Sequence, residues 1–273
     1  MLPLWAWLLS WILAKLLREP GGWRALYGIS AMSLALHIAG DVITSFGTIV
    51  LAPLSDWRAQ IGTTFIIDLW FSGIIVAGLL LCALFYRRKW PAYAASALLV
   101  GYVGFQFVLK QQALQLGREY AIAQRLPADV RVSAQPRPPT PFNWTVFVTD
   151  EEAQRYAHVN LIRRQPRASA PGDGFIARLD APYLPTDQAI WVKRSRYGET
   201  EEVRPLAREA WQAPGLALFR WFAALPAFDG VSDGGRCLWF ADLRFLTPGR
   251  DGLPFRYATC RDAPGMPWQV RPG

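Results

Sequence analysis

The chain has 273 residues, 52% of them hydrophobic, with a formal net charge of +8 and three cysteines. That charge suits lipid headgroups or nucleic acid, but the basic residues are scattered, and no helix-turn-helix, zinc-finger or aromatic RNA-binding signature is present, so nucleic acid is not the expected partner. Three cysteines without CxxC or zinc-knuckle spacing exclude a disulfide-dense scaffold and a structural zinc module.

The mean hydropathy of +0.13 averages two different solvents. Nearly all long apolar runs precede residue 117, and nearly all prolines follow residue 125. The expected organisation is a transmembrane helical bundle of about four spans over residues 1–117, a Pro-rich linker over 118–142, and an extramembrane α+β domain dominated by antiparallel sheet over 143–273.

Residues 2–17 form the first apolar run, with Lys15 close enough to the end to reach the interface. No basic residue precedes it and no small-x-small cleavage site follows, which argues against a signal peptide. Glu19-Pro20-Gly21-Gly22 breaks the helix, and a second span is expected from Trp23 to Phe46. A third runs from Thr64 to Tyr86 and closes on Arg87-Arg88-Lys89; a fourth covers Pro91 to Leu114. Lys15, Arg18 and Arg24 flank the first connection and Arg87, Arg88 and Lys89 the third, whereas Arg58 stands alone in the second. The positive-inside rule then makes the first and third connections cytoplasmic and sends the 47–63 loop and the C-terminal domain to a periplasmic or equivalent side.

The segment 126–142 holds five prolines and reads as an extended spacer. Beyond it, strands are expected at Trp144–Thr149, Arg155–Arg163, Ala189–Ser195, Cys237–Phe245 and Phe255–Cys260. Short helices are expected at Glu201–Trp211 and Leu216–Ala224, the second with Leu218, Trp221, Phe222 and Leu225 on its apolar face. Asp229–Gly234 and Gly249–Gly252 read as hairpin turns. Cys82 packs inside a span, while Cys237 and Cys260 can form one disulfide in an oxidising compartment.

The second span carries the chemistry. His37, Asp41, Thr44 and Thr48 follow i, i+4, i+7, i+11 spacing and share one stripe if the helix continues. Asp68 lies about four residues into the third, antiparallel span, so its carboxylate and that of Asp41 are expected at similar depth. Burying such groups costs several kcal/mol unless they are paired, hydrated or bound to a cation. His37, Asp41 and Asp68 are therefore the expected ligands of a divalent ion, zinc or manganese, with an open position for water. The bland alternative is a His–Asp pair one turn apart that pairs only with itself. Thr44 and Ser45 either support such a site or bond back to helix carbonyls. Gly47 is the expected helix stop.

The set His37-x-x-x-Asp41-x-x-Thr44-Ser45-x-Gly47-Thr48, then Pro53-Leu54-Ser55-Asp56 and Phe65-Ile66-Ile67-Asp68, resembles the inner-membrane-associated, metal-dependent hydrolases of the YdjM/YfhP type. Pro141-Phe142-Asn143-Trp144, Phe219-Arg220-Trp221-Phe222 and Trp239 to Phe245 resemble landmarks of that family's C-terminal region. The resemblance implies a bacterial inner-membrane hydrolase with His37, Asp41 and Asp68 at its ligand positions. Family members usually open with a His-Arg-x-x-Thr-His-Ser motif that does not precede residue 2 here, and the second of the two histidines, His158, falls in an expected strand as a surface or packing residue. Two function classes follow. One is a hydrolase acting on an ester or phosphoester, a lipid among the candidates, through metal-activated water. The other is a non-catalytic, membrane-anchored envelope protein whose β domain binds a protein partner or lipid. A coupled transporter is disfavoured by four spans without repeated halves, and neither a Gly-x-Ser-x-Gly elbow nor a phosphate-binding loop is present.

Overall fold

A computed structural model describes residues 1–170, 172–248, 253–263 and 265–272; the turn expected at Gly249–Gly252 lies outside the described residues. The chain divides into two compact units, residues 1–107 and 108–273.

The first unit is helical. It contains α1 (Leu2–Leu16), α2 (Gly22–Ile43), α3 (Leu69–Leu84) and the start of α4 (Trp90–Ala123). By length and composition α2 and α4 can each cross a membrane, whereas α1 and α3 are apolar but shorter, with 15 and 16 residues. The four expected spans thus correspond to four helices, of which two reach spanning length. α1 packs on α2 through small side chains: Ala6, Ser10 and Ala14 are buried at i, i+4, i+8, and the Ser10 hydroxyl donates to the Ala6 carbonyl at 2.6 Å. Small residues let helix backbones approach where no water drives association. α3 meets α4 in the same way, since a Cβ at Gly78 would come within 2.6 Å of Ala95 Cβ.

Several helix ends differ from expectation: α4 runs on to Ala123 where Leu114 was expected, and α3 closes at Leu84, two residues before Tyr86. α2 stops at Ile43 instead of Phe46, because the chain turns back and caps it: the amide of Ile61 donates to Val42 O, and those of Thr63 and Thr64 donate to Ile43 O. α3 begins at Leu69 instead of Thr64, since Asp68 is its N-cap. Gly47, with φ +82°, sits beyond the helix in the connection, held against the Arg58 side chain.

The second unit is α+β. Its first sheet contains β1 (Arg131–Pro136), β2 (Asn143–Thr149), β3 (Ala153–Asn160), the short β4 (Leu184–Pro185) and β5 (Val192–Ser195). All pairs are antiparallel except β3 with β4. One face of this sheet is apolar: Ala134, Trp144, Val146, Ala157 and Val159 pack with Leu109 and Ala113 of α4. At Gly117 a Cβ would lie 2.5 Å from Val132 and 2.9 Å from Val146, so the helix meets the strands without room for a side chain. The expected linker over 118–142 is therefore about half regular structure: α4 runs to Ala123, and β1 follows with its partner set by β2. Its prolines fall largely around the strand, with Pro136 ending it.

The second sheet is a four-stranded antiparallel ladder of β6 (Pro226–Ser232), β7 (Cys237–Asp242), β8 (Arg256–Cys260) and β9 (Gln269–Pro272). Asp233–Gly235 forms the turn between β6 and β7, while Asp229–Ser232 belong to β6 itself. Cys237 and Cys260 face each other across β7 and β8 and form a disulfide. The helices of this unit include α5 (Phe175–Asp180), α6 (Val203–Trp211) and α7 (Ala217–Phe222). Ala207, Ala210, Trp211, Leu216 and Phe219 pack on Leu238 and Phe240. The buried face of α7 thus centres on Phe219, whereas Leu218 and Trp221, expected inside, are exposed. With six residues, α7 has less than two turns, and its flank Leu216 does the packing that a longer amphipathic face would do.

Candidate functional site

His37 and Asp41 lie one turn apart on α2, with His37 Nε2 3.7 Å from Asp41 Oδ2 and side-chain exposures of 76% and 51%. The expected four-residue stripe stops there, because the helix ends at Ile43. Thr44 is the C-cap in extended conformation, and its hydroxyl donates back to Asp41 O at 2.7 Å, while Thr48 pairs with Ala59 in a short bridge. Among the described residues, the buried hydroxyl of Ser45 meets no hydrogen-bond partner, and neither do those of Ser30 and Thr64.

Asp68 is held differently. Its Oδ1 accepts the Trp70 and Phe71 amides, both at 2.9 Å, which satisfies two of the four orphan donors at the start of α3. The Tyr102 hydroxyl of α4 lies 3.0 Å from Oδ1 and 2.8 Å from Oδ2, and Gln106 Nε2 donates to that hydroxyl at 3.2 Å. Gln106 is fully buried. Asp68 therefore ties α3 to α4 and is nearly saturated with donors. Tyr102 and Gln106 were not singled out from sequence; two polar residues at i, i+4 inside an apolar span are the signal that marks them.

Among the described residues, no group of three His, Cys, Asp or Glu side chains comes together to hold a metal ion. His37 and Asp41 supply two neighbouring donors, and the third expected ligand is engaged by α3 and Tyr102. As arranged, the residues do not fit a three-ligand metal site.

The β unit holds a second concentration of polar groups, on the face of the first sheet opposite α4. Gln135, Thr145 and His158 form one row across β1, β2 and β3. Arg137 is buried over it. Its Nε donates to Thr145 Oγ1 at 3.0 Å, and its Nη2 donates to Gln135 Oε1 at 3.2 Å and to Arg244 O at 3.0 Å. Thr145 Oγ1 also lies 2.9 Å from His158 Nδ1, and the Tyr183 ring stands edge-on to the imidazole at 5.6 Å. Burial, reinforced by the Arg137 charge, pushes the His158 pKa down to about 3, so the ring is neutral at pH 7. Burial likewise raises the Tyr183 phenol above its ordinary value and lowers Arg137 below its own.

Two further networks fix this unit. Asp242 pairs with Arg244 at 2.7 Å, both buried, and accepts the amides of Ala224, Leu225 and Arg244. Asp180 accepts from Asn143 Nδ2 at 2.9 Å and pairs with Arg163 and Arg167. The sequence landmarks at Asn143 and at Trp239 to Phe245 thus coincide with buried, satisfied polar groups that set the fold.

Residues 1–113 match the family model described as YdjM inner membrane protein. No curated protein and no solved structure matches the chain. The match takes in α1, α2, α3 and most of α4, with His37, Asp41, Asp68 and Tyr102 inside it, so the helical part of this chain is similar to the YdjM inner membrane proteins.

Proposed function

We propose that the chain is a multi-pass inner-membrane protein in which α1 to α4 cross the bilayer and the β unit stands on the extracytoplasmic side. The observation that carries this reading is the surface of the helices: Leu4, Leu36, Leu80 and Val100, one from each, are all exposed. Large apolar side chains exposed on every helix are costly in water and suited to hydrocarbon. The basic clusters at the α1–α2 and α3–α4 connections support the orientation. So does the Cys237–Cys260 disulfide, a bond of oxidising compartments. The test is thiol labelling in intact cells of a Cys82→Ser chain with a membrane-impermeant reagent. Thr200→Cys should label while the cytoplasmic membrane is intact, and Arg88→Cys only after it is breached; the reverse order refutes the orientation.

A second reading, a metal-dependent hydrolase of an ester or phosphoester substrate, is favoured by the His37–Asp41 pair, a borderline imidazole and a hard carboxylate presented side by side on one helix of the segment that matches the family model. It requires a third donor that the described arrangement does not bring to the pair. Stoichiometric zinc or manganese in the purified full chain, lost in Asp41→Ala, would support this reading; metal-free protein with unchanged behaviour in that variant would remove it.

A further inference from the structure

We propose that the connection between α2 and α3, residues 44–68, is seated in the bilayer, so that its exposed apolar surface is a lipid-contact surface. The inference rests on the multi-pass reading and adds a claim that the reading does not contain.

The connection has the surface of a membrane element. Leu51, Leu54, Trp57, Ile66 and Ile67 are all exposed, Leu54 at 91%. Across residues 44–67 the charged side chains are Asp56 and Arg58, next to each other in the sequence but for Trp57. An aqueous loop of this length would ordinarily carry a polar surface, and large apolar side chains gathered in one connection mark a contact surface.

The backbone of the connection is also prepared for a medium without water. Irregular backbone is tolerated at membrane depth only where its polar groups find partners in the protein. Here the amides of Ile61, Thr63 and Thr64 bond to the last carbonyls of α2, and that of Gly62 bonds to Thr44 O. Thr48 and Ala59 exchange both hydrogen bonds of a bridge, and Asp68 takes the first free amides of α3. One operation thus satisfies the C-terminal end of α2, the return chain and the N-terminal end of α3.

Length supplies the third argument. At 1.5 Å per residue the 16 residues of α3 extend about 24 Å, against a hydrocarbon core of about 30 Å. If α3 crosses, the residues flanking it share the remainder: Thr64 to Asp68 before it, with Ile66 and Ile67 outward, and Phe85 and Tyr86 after it, ahead of Arg87. The occupant that meets all three observations is the lipid itself, continuous with the lipid around α2 and α3.

The experiment uses the full-length chain in lipid nanodiscs loaded at one chain per disc. In a Cys82→Ser background, which leaves the Cys237–Cys260 disulfide, single cysteines are placed by Leu54→Cys, Ile67→Cys, Leu80→Cys and Thr200→Cys and carry an environment-sensitive fluorophore. Positions 54, 67, 80 and 200 are all exposed, so labelling does not disturb packing. Phospholipid with brominated acyl chains should quench positions 54, 67 and 80 at least threefold more than position 200, and aqueous iodide should show the opposite order. If 80 is quenched from lipid but 54 and 67 are quenched by iodide as strongly as 200, the inference falls while the multi-pass reading stands. If 80 also behaves like 200, the multi-pass reading falls first. Protection of 54 and 67 from both quenchers means that protein covers them, which likewise overturns the proposal.

Discussion

The buried, neutral His158 makes acid sensitivity of the β unit a quantitative prediction. An unfolded histidine titrates near 6.5, whereas in the folded chain burial and Arg137 hold it at about 3. Because the folded value lies below the unfolded one, the unfolded chain takes up the proton first. The stability that the neutral ring permits is complete above pH 6.5 and is lost as pH falls from there towards 3. Between pH 7 and pH 5 the unfolded chain gains most of one proton while the folded chain gains almost none. A gap of about 1.5 pH units below 6.5, at 1.36 kcal/mol per unit, gives a loss of about 2 kcal/mol. The assay is pulse proteolysis of the full chain in detergent at the two pH values, reading cleavage in the β unit, for the parent, His158→Gln and His37→Gln. The glutamine at 158 keeps a polar group beside Thr145 and removes the titration, so His158→Gln should lose about 2 kcal/mol less than the parent over this range. His37 is the other histidine of the chain and lies in the helical unit, outside the β unit whose cleavage is read, so His37→Gln should behave as the parent. Equal acid losses in the parent and His158→Gln would show that the imidazole protonates freely in the native fold and would refute the argument.

Three more outcomes follow from single contacts. Tyr102→Phe removes a hydrogen bond to a carboxylate and should lower the thermal stability of the detergent-solubilised chain by about 1.5–3 kcal/mol, and in a double-mutant cycle with Asp68→Asn the two changes should be strongly non-additive. Gly117→Leu forces a side chain into Val132 and Val146 and should cost at least about 1–3 kcal/mol by denaturant titration, whereas Gly101→Leu, where an added Cβ meets no side chain of the described residues within 4 Å, should cost little beyond the helix propensities. Reduction of the Cys237–Cys260 bond, whose sequence separation is 23, should destabilise the β unit by about 3 kcal/mol in the same titration.

The helices were legible because runs of apolar residues between breakers leave few choices. Their ends were not, because side-chain caps and returning chain set them. α2 ends where Thr63 and Thr64 arrive, and α3 begins where Asp68 captures two amides. That displacement of a few residues also dissolves the expected stripe: His37 and Asp41 remain neighbours, while Thr44 and Thr48 leave the helix. The role of Asp68 depends on Tyr102, 34 residues further on, which no local pattern could supply. In the β unit, β2, β3, β7 and β8 stood out by composition. β1 was concealed by the prolines around it and β6 by Asp229 and Gly230, since turn-forming residues dominate those stretches. β1 takes its place through its ladder with β2, a partner beyond the reach of a local window.

The Cys237–Cys260 bond joins residues directly opposite each other on neighbouring strands, so it reports on pairing as well as strengthening it. A sheet that slipped by one residue would turn the two thiols to opposite faces, and the bond could not close. Closure of the bond is therefore specific to one alignment of β7 and β8, the one in which Cys237 stands directly across from Cys260.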